Sequence, residues 1–257
     1  RRTAWIAVAL AVFASAWGGN EFTPLLVMYR ETGNFGAVAV DALLFLYVVG
    51  IVPSLLIGGP LSDRIGRRPL MLPAPVFAAV GSLLLALGAN SIVLLSIGRV
   101  FSGIALGLSM AVGGSWITEL SVRGGDTAAS GARRAAMSLT AGFGIGAGVA
   151  GVLAQWAPWP QVLAYVVNIS LAAFAMVLLL LRAPETRSAS ATPGRLVDDL
   201  KIPSAGHRRF LFVVLPVAPW VFGACASAYA IIPALMSART AGAPIAFAAL
   251  CLSLIHI

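Results

Sequence analysis

The chain has 257 residues, of which 60% are hydrophobic and 10% charged, with a net charge of +8 and a mean hydropathy of +0.95. A soluble domain of this size needs more charge to cover its surface, so the composition is that of a membrane protein. The basic residues punctuate apolar segments instead of gathering on one face, which argues against nucleic-acid binding.

Seven stretches are long and apolar enough to cross a bilayer as helices: roughly 4–29, 38–58, 70–89, 92–117, 135–156, 161–181 and 210–236. An eighth begins near Pro244. The runs are continuous rather than alternating, so helices and not barrel strands are expected. The first is too long for a signal-peptide core, and no small-residue cleavage site follows it.

The first span carries Glu21 in Trp17-Gly-Gly-Asn-Glu-Phe-Thr-Pro24. A carboxylate in low dielectric can exchange protons near neutral pH, and the two glycines and Pro24 can loosen the helix around it. Position alone also allows Glu21 to lie near the outer interface. Between the second and third spans lies Gly59-Pro-Leu-Ser-Asp-Arg-Ile-Gly-Arg-Arg68. Gly59 and Gly66 permit a sharp reversal, and Asp63 can accept from free backbone donors at a helix start. Arg64, Arg67 and Arg68 supply charge, and Glu119, at the end of the fourth span, is the acid expected to pair with one of them.

Arg99 lies eight positions into the fourth span. A charge there costs a few kcal/mol, so it is expected to face a partner or a wet cavity rather than lipid, snorkelling being the alternative. The fifth span reads Gly142-Phe-Gly-Ile-Gly-Ala-Gly-Val-Ala-Gly151. Gly142 and Gly146, four apart, with Gly151 further along, give a smooth face for close helix contact. Asn168, in the middle of the sixth span, is read as an interhelical hydrogen-bonding residue, with substrate contact as the alternative.

Residues 183–209 are rich in Ser, Pro, Arg and Asp and read as a cytoplasmic linker. The expected organisation is a six-span bundle over 1–182, this linker, and the start of a second bundle over 210–257. With the N-terminus cytoplasmic, the inner side carries fourteen of the seventeen Lys and Arg residues, which sets the orientation. Cys225 and Cys251 lie in apolar text without metal-ligand spacing. No phosphate-cradling loop with Lys, metal-ligand cluster or nucleophile–His pair is present in the sequence. No enzyme activity, metal or cofactor is expected. Leu252–Ile257 resembles the translated read-through of a sequencing adapter, so His256 carries no functional weight.

The Gly59–Arg68 loop resembles the loop between the second and third helices of major facilitator superfamily transporters, G-x-L-x-D-R-x-G-R-R/K. It matches at Gly59, Leu61, Asp63, Arg64, Gly66, Arg67 and Arg68. Pro184-Glu185-Thr186 resembles the end of the first bundle in that family. Arg99 with Gly103 resembles its fourth-helix motif, implicated in proton coupling, although Ser102 stands where Gln is frequent. The glycine run resembles the fifth-helix motif of its proton-coupled antiporters, with Ala147 in place of Pro and Ala150 in place of Gly. The resemblance implies an all-α membrane protein of which this chain is about the first two-thirds. It also implies a lipid bilayer, a small-molecule substrate and protons as partners, and a bacterial inner-membrane location. A monomer is the expected state. Proton-coupled export is the leading expectation, metabolite uptake the alternative, and a non-transporting sensor or scaffold the reading from a different class.

Overall fold

A computed structural model describes residues 2–32, 35–187, 196–200, 203–220, 236 and 242–254. The described residues are helical, with no strand among them. In chain order the helices are α1 (Ala4–Asn20), α2 (Phe22–Thr32), α3 (Ala37–Ile65), α4 (Arg67–Met71), α5 (Pro73–Leu87), α6 (Ile92–Leu108), α7 (Gly114–Arg123), α8 (Ala128–Trp156), α9 (Leu163–Arg182), α10 (Leu196–Asp199), α11 (Phe210–Trp220) and α12 (Pro244–Leu254). A wide π-helical turn, Ser109–Gly113, joins α6 to α7 as one 32-residue span. Five helices among the described residues are long and apolar enough to cross a membrane. They correspond to the second to sixth spans read from the sequence. Of the seventh, only Phe210–Trp220 and Met236 fall within the described residues.

The first span is broken at Glu21, which separates α1 from α2. Pro24 explains the position. It has no N–H for the carbonyl four residues back, that of Asn20, and its ring would crowd that carbonyl in a continuous helix. In the first turn of a new helix the same residue costs little.

The loop after the second span is more helical than its glycines suggest. α3 runs through Gly59 and Pro60 to Ile65, and the reversal is confined to Gly66, at φ +114°. Only glycine takes that conformation readily. A Cβ there would also stand 3.0 Å from the Glu185 carboxyl carbon.

Glycines set the closest helix contacts. A Cβ on Gly50 of α3 would meet the Ile104 amide nitrogen at 2.8 Å, and one on Gly107 the Ile51 carbonyl at 2.7 Å, so α3 and α6 touch backbone to backbone. On α8, Gly142 packs on Phe13 and Ala16 and Gly146 on Trp17, all of α1. Gly151 faces Ile245 and Ala249 of α12. The N-terminus of α12 is held by Gln155 of α8, whose Oε1 accepts from the amides of Ile245 (3.1 Å) and Ala246 (3.3 Å). The core has two main parts. One gathers Val8, Val12, Trp116, Ile117 and Leu179 towards the arginine-rich end. The other gathers Phe22, Leu25, Tyr29, Leu43 and Tyr165. Outward-facing Val48, Leu56, Leu83, Val152 and Leu181 are exposed apolar residues, the surface a bilayer covers.

Candidate functional site

Two groups of polar residues lie in this frame, one at the arginine-rich end and one within the bundle.

At the arginine-rich end, Arg67 is the hub. Its Nη1 lies 2.6 Å from Asp63 Oδ1, and its Nε and Nη2 donate to Glu119 Oε1 at 3.2 and 3.0 Å. It also donates to Ser62 Oγ, and Ser62 in turn donates to the Gly59 carbonyl at 2.7 Å. Glu119 accepts a third bond, at its other oxygen, from Thr186 Oγ1. The free backbone donors at the start of α4 go to Glu185: Arg67 N donates to Oε1 at 3.0 Å and Arg68 N to Oε2 at 2.8 Å. Thr186 N and Arg187 N, both at 2.8 Å, complete a ring of four N–H groups around this carboxylate. Partial burial works to raise the Glu185 pKa, but the four donors outweigh it and hold the group below the usual carboxylate range.

The segment 183–187 is thereby strapped across the bundle end. Trp116 Nε1 donates to the Pro184 carbonyl at 3.2 Å. Arg123 donates to the carbonyls of Glu185 (3.0 Å) and Thr186. Arg68 Nη2 donates to the Leu180 carbonyl at 2.9 Å. Arg64 reaches α10 instead, with Nε and Nη2 3.0 and 2.6 Å from Asp199 Oδ2. Leu61 is half-buried, and Gly59 has open space beside it.

Within the bundle, Glu21 is fully buried. Its Oε1 accepts from Ser82 Oγ of α5 at 2.8 Å, and Ser82 Oγ accepts from Asn168 Nδ2 of α9 at 2.8 Å. Glu21 Oε2 and Asn168 Oδ1 are buried without a hydrogen-bond partner. Three helices thus meet through one carboxyl, one hydroxyl and one amide. The amide presses on Gly18, where any Cβ would collide with it.

Arg99 is buried beside the same break. Its guanidinium lies 4.7 Å from the centre of the Phe22 ring and 4.2 Å from that of Tyr47. It donates to the carbonyls of Leu43 (3.3 Å) and Gly19 (3.2 Å). The Gly19 bond and the Phe22 contact grip the chain on either side of Glu21. Cation–π contact and carbonyl acceptors are what a desolvated guanidinium needs in place of water.

Sequence reading singled out Glu21, Arg99, Asn168 and the loop residues. It missed Ser82, which joins two of them, and Gln155. Isolated hydroxyls and amides in apolar text carry no signal until their neighbours are known. It noted Glu185 only for its motif, and the role of that carboxylate at the start of α4 had no local sequence cue.

A family model described as Major Facilitator Superfamily matches residues 7–256. The chain is 37% identical over 78 residues to a glucose transporter, GlcP, of Staphylococcus epidermidis, an alignment covering 27% of this chain and 17% of that protein. It is 32% identical over 114 residues to a multidrug transporter, MdfA, of Edwardsiella piscicida, covering 44% of this chain and 28% of the relative. The crystal structure of a D-xylose-proton symporter superposes with a TM-score of 0.64 over 98% of this chain and 65% of that one; at 17% identity the likeness is one of fold. The chain therefore spans less than two thirds of the solved transporter it matches, and its alignments cover smaller shares of the curated relatives.

Proposed function

Because the chain belongs to the major facilitator superfamily, a family of transporters and not of enzymes, we propose that it serves as the first part of a secondary transporter exporting small organic molecules in exchange for protons. The observation that carries the proton is Glu21: a fully buried carboxyl that accepts from the Ser82 hydroxyl, at the break between α1 and α2. Such a group is costly as an anion and can be loaded and unloaded as its surroundings change. The name of the Edwardsiella relative, a multidrug transporter, fits small organic molecules as the cargo.

In this reading residues 1–182 are the first six-helix bundle, 183–209 the cytoplasmic linker, and 210 onward the start of the second bundle. The N-terminus lies in the cytoplasm of a bacterial cell and the arginine-rich end faces inward, on the strength of the lysine and arginine count. The Asp63–Arg67–Glu119 network and the Glu185 strap then lock the inner end of the first bundle into one body. That body rocks against the second bundle in alternating access. Arg99 holds the α1–α2 break at Gly19 and Phe22.

The test is transport by the full-length gene product. In everted membrane vesicles energised acid-inside, an exporter exchanging for protons accumulates a lipophilic cationic dye, and a protonophore releases it. A second reading, metabolite uptake with protons, is favoured by the alignment to a glucose transporter. It requires labelled hexose to accumulate in right-side-out vesicles with acid outside. Neither accumulation would leave a sensor or scaffold.

A further inference from the structure

We propose that Glu21, Ser82 and Asn168 form a three-residue hydrogen-bond chain whose polarity reverses when Glu21 takes up its proton, turning the Asn168 amide over. The inference rests on the reading of Glu21 as a proton site and adds what α5 and α9 do with that proton.

The direction of the chain follows from donor bookkeeping. The Asn168 nitrogen is a donor only, so Ser82 Oγ accepts from it. The single hydroxyl hydrogen of Ser82 then goes to Glu21 Oε1. This order, amide to hydroxyl to carboxylate, fits the ionised acid. It leaves Asn168 Oδ1 and Glu21 Oε2 buried and unpartnered, one of them carrying part of a charge. Unsatisfied buried groups of this kind are costly.

One proton reverses the order. Glu21 becomes a carboxylic acid and donates to Ser82 Oγ. Ser82 turns its hydrogen away, losing none, and needs an acceptor on its other side. A rotation of the Asn168 amide about its terminal torsion brings Oδ1 to that place, since the amide has nearly the same shape either way round. The carbonyl is then satisfied and the charge is gone from Oε2, while Nδ2 moves to the place Oδ1 held, so the unpaired group is a neutral amide donor instead of an acceptor beside an anion. The amide that turns lies against Gly18, three residues before Glu21, so the event on α9 is felt at the α1–α2 break.

Among the described residues Glu21 is the one buried carboxyl; Asp41 of α3 is exposed. Arg99 of α6 grips the neighbouring Gly19 and Phe22. Tyr47 of α3 stacks on Arg99, and Tyr29 of α2 is bonded to Tyr165 of α9 at 3.2 Å. α5 and α12 carry no Asp, Glu, Lys, Arg or His, and Cys251 is the one thiol on α12. The charges of α7, α8 and α9 (Glu119, Arg123, Arg133, Arg134 and Arg182) belong to the arginine-rich end, where Arg134 stacks on Trp5 at the far end of α1.

The experiment is an acid-minus-alkaline infrared difference spectrum of the full-length gene product in lipid, with isotope-labelled asparagine. The expected wild-type spectrum has a carboxylic acid band lost in Glu21→Gln and an asparagine side-chain band lost in Asn168→Leu. In Ser82→Ala the asparagine band disappears while the acid band remains, because the messenger is missing. Ser82→Thr, which keeps the hydroxyl, restores it. A merely structural serine would leave the asparagine band in place, and that result overturns the proposal. So does an acid band with no asparagine band in the wild type, which leaves Glu21 as a proton site. Absence of any acid band assignable to Glu21 overturns both the chain and the proton reading beneath it.

Discussion

The arginine-rich end and the Glu21 site use the same two chemistries, carboxylate and guanidinium, in opposite ways. At the end of the bundle Arg67, Glu119 and Glu185 each have several partners. Arg67 touches Asp63 and Glu119, and Glu185 collects four backbone donors. Removal of one partner leaves others, and water reaches several of the groups; the Asp63 side chain is 55% exposed. Within the bundle Glu21 accepts from a neutral hydroxyl, Arg99 donates to carbonyls and stacks on rings, and both are almost wholly out of solvent. Redundant pairing makes a brace. Sparse pairing in a dry place makes a group whose charge state matters.

The comparison is broken most sharply from the inside. Glu21→Gln conserves shape and removes the charge. It is expected to leave the fold intact and to abolish the dependence of transport on the pH gradient, read by dye accumulation in energised vesicles. Arg99→Ala takes the guanidinium donor from the Gly19 carbonyl at the α1–α2 break, at about 1–3 kcal/mol, and empties the space between the Phe22 and Tyr47 rings. It should lower the thermal unfolding temperature in detergent markedly, with Arg99→Lys between it and the wild type.

At the other region the effects are smaller. A double-mutant cycle of Arg67→Gln and Glu119→Gln in the full-length protein should give a coupling of about 1 kcal/mol, the Glu119 side chain being 35% exposed. Strict additivity would separate the two residues. The strap is expected to be acid-labile. The Glu185 pKa is depressed in the folded protein, so its stabilising contribution is fully present above the ordinary carboxylate value of about 4.3. It is lost as the pH falls through the lower folded value. Hydrogen exchange at the Arg67 and Arg68 amides should lose protection over that acid range in the wild type, and at all pH values in Glu185→Gln. Smallest of all, Arg64→Gln should release α10 with a cost near 0–1 kcal/mol, fading as salt is raised.

The spans were legible because bilayer solvation imposes a length and a composition on each, and five recur as helices in the structure, most of them three to seven residues longer at the arginine-rich end. Glycines four apart likewise announced a packing face, and Gly142 and Gly146 do meet one neighbour, α1. The break at Glu21 could be suspected from Pro24 but not located, because a proline in a membrane helix can kink it or end it. The loop was harder. Gly59 and Gly66 look alike in text, yet only Gly66 turns the chain, since the left-handed angle and the approach of Glu185 are properties of the tertiary structure. Ser82 was invisible for a similar reason. A serine in an apolar helix usually bonds its own backbone, as Ser102 and Ser170 do here, and only the arrival of α1 and α9 from distant sequence makes it a bridge.

The π turn at Ser109–Gly113 acts as a phase shifter. A wide turn amounts to one residue more than a regular helix needs, so the half of the fourth span beyond it is rotated relative to the half before. Arg99 and Glu119 sit on opposite sides of that step, each aimed at its own set of partners. Closing the step to a regular helix without deleting a residue would swing Glu119 through roughly a quarter-turn around the helix axis and carry it off Arg67. The azimuth of the brace relative to the buried arginine is thus written into the spacing between them.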